Sequence, residues 1–288
     1  MRSVRLDNFR IGRQASKKFP NSFSSLCRGE QRAKSAKIRK HAKCSRSSRP
    51  QGDEAVALAA DLQAEAKAIL SKTWTTRDGQ VVPAPSDLKL GNDAVKLNAT
   101  VLYADMNGST SLVDTHNATI AAEVYKSYMV CTARIIKNAG GTITAYDGDR
   151  IMGLFIGDYK NTTAARTALQ INWAVKHIVN PALKAQYGND AYQMSHVIGV
   201  DTSTMLAARI GVRNDNDIVW VGRAANYAAK LTSLDTGHAV YLTSDVFTKL
   251  DRLLKYNGTP EQLMWESCTW NSMNRMAVHR SNWMWAVS

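Results

Sequence analysis

The chain has 288 residues, 44% of them apolar, so it is long enough and apolar enough to bury a hydrophobic core. No stretch approaches the roughly 20 apolar residues of a membrane-spanning helix, and no signal-peptide core precedes the predicted elements. The formal net charge of +13 lies entirely in residues 1–50, where fifteen Lys and Arg face two acids, and the neutral remainder gives no strong indication of nucleic-acid binding.

Residues 1–52 are rich in Ser, Lys and Arg and show no apolar periodicity, which is typical of a disordered tail. A transit peptide, an arm for nucleic acid or anionic membranes, or a start codon assigned too far upstream would have a similar composition. We expect disorder or an upstream start. The cysteines have no CxxC spacing and predict reduced thiols in a cytoplasmic protein, not disulfides or a zinc site; they are Cys27, Cys44, Cys131 and Cys268.

The apolar patterning predicts the elements in chain order. An amphipathic helix over residues 53–72 and a connector to residue 95 come first. They are followed by a strand (98–105), a helix (109–137) that "NAGG" ends, the hairpin "TITAYD/GDRIMGLF", a helix (162–179), strands (195–203 and 217–222), a helix (223–234) and a strand (238–245). This order predicts an α+β fold, a ferredoxin-like βαββαβ core with additional strands and helices, whose helices cover one face of one sheet.

Residues 251–288 form a C-terminal extension in this prediction. Three of its residues, Trp283, Trp285 and Val287, alternate onto one face and predict a closing strand packed on the core. An exposed surface for a partner is the alternative. The predicted domain bounds are therefore a tail (1–52), a helix with its connector (53–95), a main domain (96–250) and the Trp-rich extension (251–288).

Two aspartates stand at the ends of predicted strands. Asp105 ends an apolar strand, where it could simply cap the next helix. Asp147-Gly148 is a hairpin signal for a type I′ turn, but this turn does not explain Asp149, which is expected to begin the second strand. In a split βαβ unit the first strand and the hairpin are sheet neighbours, so Asp105 and Asp149 can meet.

Two carboxylates that meet repel each other unless a cation lies between them, and hard divalent ions prefer oxygen ligands. The segment "MNGST" follows Asp105 directly and opens a helix, so its backbone N–H groups and small residues could cradle a phosphate. Two acids beside a phosphate loop indicate metal-assisted phosphoryl transfer. The phosphate-loop residues are Asn107, Gly108, Ser109 and Thr110.

Three motifs in this order resemble the class III nucleotide cyclases across about residues 96–250. The first is an apolar run followed by Asp-x-x-Gly-x-Thr, although Ser109-Thr110 replaces the usual Phe-Thr. The second is Gly-Gly, then Gly-Asp, then Phe. The third is Gly-x-x-Val-Asn-x-Ala-x-Arg. They are matched here by "VLYADMNGSTSL", "GGTITAYDGDRIMGLF" and "GRAANYAAKL".

The resemblance implies that Asp105 and Asp149 bind two divalent cations, Mn²⁺ or Mg²⁺, together with the backbone carbonyl of Met106. It also implies that Asn226 orients the ribose of a nucleoside triphosphate and that Lys230 stabilises the transition state. The family has Arg at this last position, and Lys is a point charge without the bidentate fork. Since the two halves of a family site come from different subunits, a head-to-tail homodimer is implied.

Base selection in the purine cyclases of this family uses polar residues at positions held here by Ala145 and Val219, which cannot read a purine edge by hydrogen bonding. The large aromatics Tyr146 and Trp220 lie beside them and could narrow the pocket, although strict alternation places Tyr146 opposite Asp149 unless a bulge intervenes. Together with the segments "TAYDGDRIM", "IGVRNDNDIVWVGRAANYAAKL" and "HRSNWMWAV", the absence of these polar residues makes the chain resemble the bacterial pyrimidine cyclases of the Pycsar anti-phage system. This resemblance implies cyclisation of UTP, favoured over CTP, to a second messenger for a separate effector.

Three alternatives stay open. A haloacid-dehalogenase-like phosphatase would explain "ADMNGST", but it needs a second Asp where Asn107 stands. A degenerate cyclase domain that only binds nucleotide or dimerises is a stronger rival because of Lys230. A purine (adenylate) cyclase is the third.

Overall fold

The structure, a computed structural model, describes residues 51–212, 215–234 and 237–287. The predicted tail up to residue 50, with Cys27 and Cys44, lies outside the described residues. The unit Ala55–Ser288 holds the fold described below, and the preceding unit, Met1–Glu54, is almost wholly outside the described part. Within that part, no helix is long and apolar enough to cross a membrane.

Nine of the described strands form one mixed sheet. They are β1 (Thr75–Asp78), β2 (Asp93–Asn107), β3 (Thr142–Asp147), β4 (Arg150–Phe155), β5 (Ser195–Val212), β6 (Asp215–Val221), β7 (Val240–Thr243), β10 (Glu266–Trp270) and β11 (Met276–Ser281). Across the sheet their order is β10-β11-β7-β5-β2-β4-β3, with β1 parallel to β2 and β6 antiparallel to β5 beside this path. A separate small hairpin pairs β8 (Tyr256–Asn257) with β9 (Gln262–Leu263).

The helices connect these strands. They are α1 (Gln51–Ser71), α2 (Ser109–Thr115), α3 (Ala118–Asn138), α4 (Lys160–Ala174), α5 (Asn180–Tyr187), α6 (Arg223–Leu231), α7 (Ser244–Thr248) and α8 (Arg252–Lys255). A single π-helical turn, Val175–Val179, joins α4 to α5.

The ferredoxin-like core is confirmed. The neighbours β5, β2, β4 and β3 are all antiparallel, and the chain runs β2-α3-β3-β4-α4-β5 through them. Both β2 and β5 are longer than predicted, because they pair from Ala94 opposite Ala208 to Asn107 opposite Ser195. The exposed Lys96 and Asn98 interrupt the apolar pattern at the start of β2, so the prediction missed this part although Ala94, Val95 and Leu97 are buried.

The long predicted helices also differ from the structure. The one expected over 109–137 is broken, because Asn117 begins a new helix by accepting a hydrogen bond from the Ile120 N–H at 2.9 Å. The one expected to end at residue 179 continues through the π turn into α5.

Helices lie on both faces of the sheet, so the prediction of one covered face was wrong. Leu102, Ala104 and Met106 of β2 pack with α3 and α4 in the main core. The alternate residues Ala99 and Val101 pack instead with Ala224, Ala225 and Ala228 of α6. A Cβ at Gly199 would lie 2.1 Å from the Ala228 carbonyl oxygen, so α6 approaches β5 closely only because this residue is Gly.

The closing strand expected at residues 283–287 is not formed, although its side chains are packed as predicted. Trp283, Trp285 and Val287 contact the main core. The Trp285 N–H donates to the Leu169 carbonyl of α4 at 3.2 Å, so this backbone pairs with a helix instead of a strand. The strand in this region is β11, which comes just before it.

Candidate active site

The end of β2 and the tip of the β3–β4 hairpin meet at one edge of the sheet. Asp105 lies opposite Arg150 of β4 and opposite Val197 of β5. Asp149 directly precedes Arg150, so the two aspartates are brought together as their positions in the split βαβ predict.

The hairpin turn differs from the prediction by one residue. Its two turn residues are Gly148 and Asp149, and β4 begins only at Arg150. Gly148 has a φ of +60°, while the described non-glycine residues with positive φ are Asn274 and Arg275. Because a type I′ turn needs positive φ at both central residues, the predicted turn type is wrong. The turn holds Asp149 at the tip of the hairpin.

The electrostatics of this edge concentrate on Asp105. Burial, followed by the negative charge of Asp149, raises the pKa of the half-buried Asp105 carboxyl to about 6. Arg150 and a hydrogen bond from Thr232 Oγ1 to Asp105 Oδ2, at 3.2 Å, oppose this rise in pKa. Because nearby negative charge raises this pKa, a bound cation would favour the ionised carboxylate.

The donor set fits a hard divalent ion. Asp105 and Asp149 provide carboxylate oxygens, and the Met106 side chain is buried in the main core, which leaves only its backbone carbonyl to serve as a ligand. Among the described residues, no group of three or more His, Cys, Asp or Glu could hold a metal ion. An ion at this site would therefore need substrate oxygens or water to complete its coordination, as Mg²⁺ commonly does.

The predicted phosphate loop wraps the start of α2. Gly108 is the N-cap residue with a φ of +74°, and no side chain caps the first N–H groups of the helix. Two tyrosines hydrogen-bond to the backbone of the loop. The Tyr192 hydroxyl donates to the Asn107 carbonyl at 3.2 Å, and the Tyr125 hydroxyl donates to the Ser109 carbonyl at 3.5 Å. Ser109 and Thr110 add hydroxyl groups, so the loop presents several donors.

Helix α6 carries Asn226 and Lys230 one turn apart, both exposed. The opposite face of α6 is buried against the sheet, so these two side chains point away from it. An ion pair fixes the start of the helix: the Arg223 guanidinium donates to both carboxylate oxygens of the fully buried Asp201, at 3.1 and 3.2 Å. Thr243 also donates to Asp201, at 2.5 Å.

The residues expected to contact the base are only partly brought together. Ala145, Trp220 and Tyr103 pack against the cluster that Ala99 and Val101 form with α6, on the face that carries Asp105. Tyr146 lies opposite Ile151 on the other face, as strict strand alternation predicts, and is exposed. Val219 lies opposite Ala208, on the face of β6 away from Trp220.

Sequence reasoning missed several residues at this edge. Tyr103 stands two residues before Asp105 on the same face of β2. Burial raises the pKa of its hydroxyl, Arg150 lowers this pKa and Asp147 raises it. Arg150 also pairs with Asp147 at 2.7 Å. The period-two spacing from Asp105 could have identified Tyr103. Nothing local in the sequence indicates that Thr232 reaches Asp105.

This sheet, with α3 and α4 on one face and α6 on the other, has the fold of the catalytic domain of class III nucleotide cyclases. The solved guanylyl cyclase Cya2 has this fold: it superposes with a TM-score of 0.55 at 20% identity, over 65% of this chain and 91% of that structure.

Curated relatives narrow the class. A uridylate cyclase from Xanthomonas perforans is 48% identical over 221 residues, which are 76% of this chain and 94% of that protein. A uridylate cyclase from Burkholderia cepacia is 46% identical over 235 residues, which are 81% of this chain and all of that protein. The chain belongs to the uridylate cyclase family. No family model matches it.

Proposed function

We propose that the protein converts UTP to 3′,5′-cyclic UMP and pyrophosphate. The observation that carries the proposal is the meeting of Asp105 and Asp149 beside the phosphate loop, with the pKa of Asp105 raised to about 6. The relatives named uridylate cyclase support the choice of nucleotide.

Asp105, Asp149 and the Met106 carbonyl would hold two divalent cations, Mg²⁺ or Mn²⁺. Bound there, the ions supply Lewis acidity at the α-phosphate and lower the pKa of the ribose 3′-hydroxyl. The N–H and hydroxyl groups of the loop from Asn107 to Thr110 hold the phosphates. The 3′-hydroxyl loses its proton to solvent as its oxygen forms a bond to the α-phosphorus, and the bond from that phosphorus to the leaving pyrophosphate oxygen breaks.

Asn226 and Lys230 act on the same reaction from α6. The amide of Asn226 orients the ribose, and the ammonium group of Lys230 stabilises the charge that develops on the α-phosphate. Both side chains are exposed on the face of α6 that points away from its own sheet. This exposure supports a two-fold homodimer in which α6 of one chain completes the metal site of the other.

The pocket surroundings favour a pyrimidine. Ala145 offers neither donor nor acceptor to a purine edge, and an unpaired polar group costs about 1–3 kcal/mol when buried. Tyr103 and Trp220 pack beside Ala145 and reduce the space for a second ring.

Product analysis tests the proposal. The full chain is incubated with Mn²⁺ and an equimolar mixture of ATP, GTP, CTP and UTP, and the products are identified by mass spectrometry, with Asp105→Ala as the blank. Cyclic UMP is the expected main product. Cyclic CMP as the main product would overturn the choice of base alone, whereas cyclic AMP or GMP would overturn the pyrimidine assignment.

A binding-only domain is the second candidate, and Lys230 in place of Arg is the observation that favours it. If the domain only binds nucleotide, UTP would bind to the protein in calorimetry but no cyclic product would form.

If the protein is an enzyme, its cyclic nucleotide is a second messenger for a separate effector in anti-phage defence. Its cellular level should then rise upon phage infection.

A further inference from the structure

Thr232 connects the end of α6 to the Asp105 carboxylate of its own chain. It is the C-cap residue of the helix, and only 7% of its surface is exposed. Its hydroxyl oxygen lies 3.2 Å from Asp105 Oδ2 and 2.7 Å from the Ala229 carbonyl oxygen. Among the described residues, no other side chain donates a hydrogen bond to this carboxylate.

The two acceptors compete for one proton. A hydroxyl group has a single hydrogen, so Thr232 donates fully to only one of them at a time. The Ala229 carbonyl has a second donor, the backbone N–H of Thr232 at 3.3 Å, which closes the last turn of the helix. The carboxylate of Asp105 has no such substitute, and an ionised acceptor forms the stronger hydrogen bond. We therefore expect the hydroxyl to turn to Asp105 when this residue binds a cation.

This hydrogen bond restrains a side chain whose backbone is already fixed. Strands β4 and β5 pair with β2 on either side of Asp105, so its Cα position is set by the sheet. Its carboxylate can still rotate, and the bond from Thr232 to Oδ2 selects one orientation. Carboxylates that ligate metal ions are commonly held by such bonds, whose loss weakens metal binding by about 10–100-fold.

We propose that Thr232 is a positioning residue of the metal site, which holds the Asp105 carboxylate in the orientation that binds the cation. This inference rests on the metal site of the proposed function and adds to it a residue that lies outside the three motifs. Thr232 stands two positions after Lys230. Helix α6 therefore serves two sites of the proposed dimer, the partner's through its exposed face and its own chain's through its C-terminal end.

Binding of Mn²⁺ tests this role separately from catalysis. Electron paramagnetic resonance follows Mn²⁺ binding to the full chain with 3′-deoxy-UTP, which lacks the attacking hydroxyl and cannot cyclise. Thr232→Val keeps the shape of the side chain without its hydroxyl and should raise the Mn²⁺ dissociation constant about tenfold or more. Thr232→Ser keeps the hydroxyl and should bind almost as the wild type does.

Thr248→Val is the matched control, because the exposed Thr248 at the end of α7 also donates to the carbonyl three residues earlier but has no carboxylate partner. It should bind Mn²⁺ as the wild type does. An unchanged dissociation constant for Thr232→Val overturns the proposal. An equal loss in Thr232→Ser also overturns it, since that result indicates packing of the methyl group. If Thr232→Val does not fold, Thr232→Ala is compared with Thr232→Ser, because these two differ only in the hydroxyl.

Asp105→Ala separates failure of this inference from failure of the proposed function. A wild type that binds Mn²⁺ no better than Asp105→Ala would remove the metal site and this inference with it. Mn²⁺ binding that depends on Asp105 but is unaffected by Thr232→Val would remove this inference alone.

Mixed dimers show in which chain Thr232 acts. When Asp105→Ala and Lys230→Ala chains combine, the intact site of the proposed dimer takes its Asp105 from the Lys230→Ala chain. Adding Thr232→Val to that chain should raise the KM for Mn²⁺ about tenfold and change kcat much less. The same substitution in the Asp105→Ala chain should leave this KM unaltered, because its Thr232 has no carboxylate to hold. Equal effects on KM from the two placements overturn the proposal.

Discussion

At the scale of single residues, the proposed mechanism depends on Asp105 and Asp149. We expect Asp105→Ala and Asp149→Ala each to lower cyclisation by on the order of 10²–10³-fold or more, because each removes a ligand of the charge-stabilising ions. The fold should persist, since the raised pKa of Asp105 shows that its ionised form is disfavoured by burial. Product assays and thermal unfolding in EDTA measure the two effects.

Asp147→Ala is the matched control for these variants. Asp147 lies in the same hairpin, but its side chain is exposed and pairs with Arg150. It should keep most of the activity. Full activity of Asp149→Ala with Mn²⁺ would contradict the metal assignment.

His196 gives a prediction for pH. Burial lowers its pKa from 6.5 to about 4, and its Nε2 has no hydrogen-bond partner among the described residues. Because the unfolded chain takes up this proton below pH 6.5 and the folded chain does not until about pH 4, His196 lowers the free energy of unfolding by about 3 kcal/mol as the pH drops through this window. The raised pKa of Asp105 acts with the opposite sign and offsets this fall in the wild type.

Urea unfolding at pH 7.5 and 4.5, compared between the wild type and a His196 variant, measures the contribution of His196. The His196→Phe variant should lose about 3 kcal/mol less than the wild type over the same interval. His177→Phe, at an exposed position, should keep the wild-type difference. Equal losses in all three proteins would contradict the role of His196.

At the scale of elements, the position of α6 depends on the Arg223–Asp201 pair. Arg223→Met leaves the buried Asp201 without its ion-pair partner, which should lower the free energy of unfolding by about 3 kcal/mol. It should also lower kcat more than KM, because Asn226 and Lys230 move with the helix. The control is Arg252→Met, which loses an exposed pair with Glu261 and should cost no more than about 1 kcal/mol. A fall in stability with unchanged kcat would remove the positioning role.

The order of elements around the site could be predicted because local patterns encode it: an apolar run before Asp105, Gly148 in a hairpin, and the small residues of α6. What could not be predicted depends on contacts distant in sequence. Asp201 looks like any strand residue until Arg223 and Thr243 meet it. Likewise, α6 packs on the second face of the sheet because Gly199 has no side chain to obstruct it. A single glycine in a strand does not indicate from the sequence which helix packs against it.

At the scale of the whole molecule, the proposed site belongs to two chains, and mixing experiments test this directly. Asp105→Ala and Lys230→Ala should each be nearly inactive alone. In a mixed dimer, one site receives both substitutions and the other receives neither. Random exchange of equimolar subunits makes half of the dimers mixed, so about a quarter of the wild-type activity should return.

The matched control for the mixture combines Asp105→Ala with Asp149→Ala. These two substitutions affect the same half of the site, so every mixed dimer still lacks a metal ligand at both sites and no activity should return. Subunit exchange is verified separately with two fluorescent labels. If exchange occurs and the Asp105→Ala and Lys230→Ala mixture stays inactive, each site is built within one chain. The exposure of Asn226 and Lys230 would then need another explanation, such as closure of α6 over the bound nucleotide.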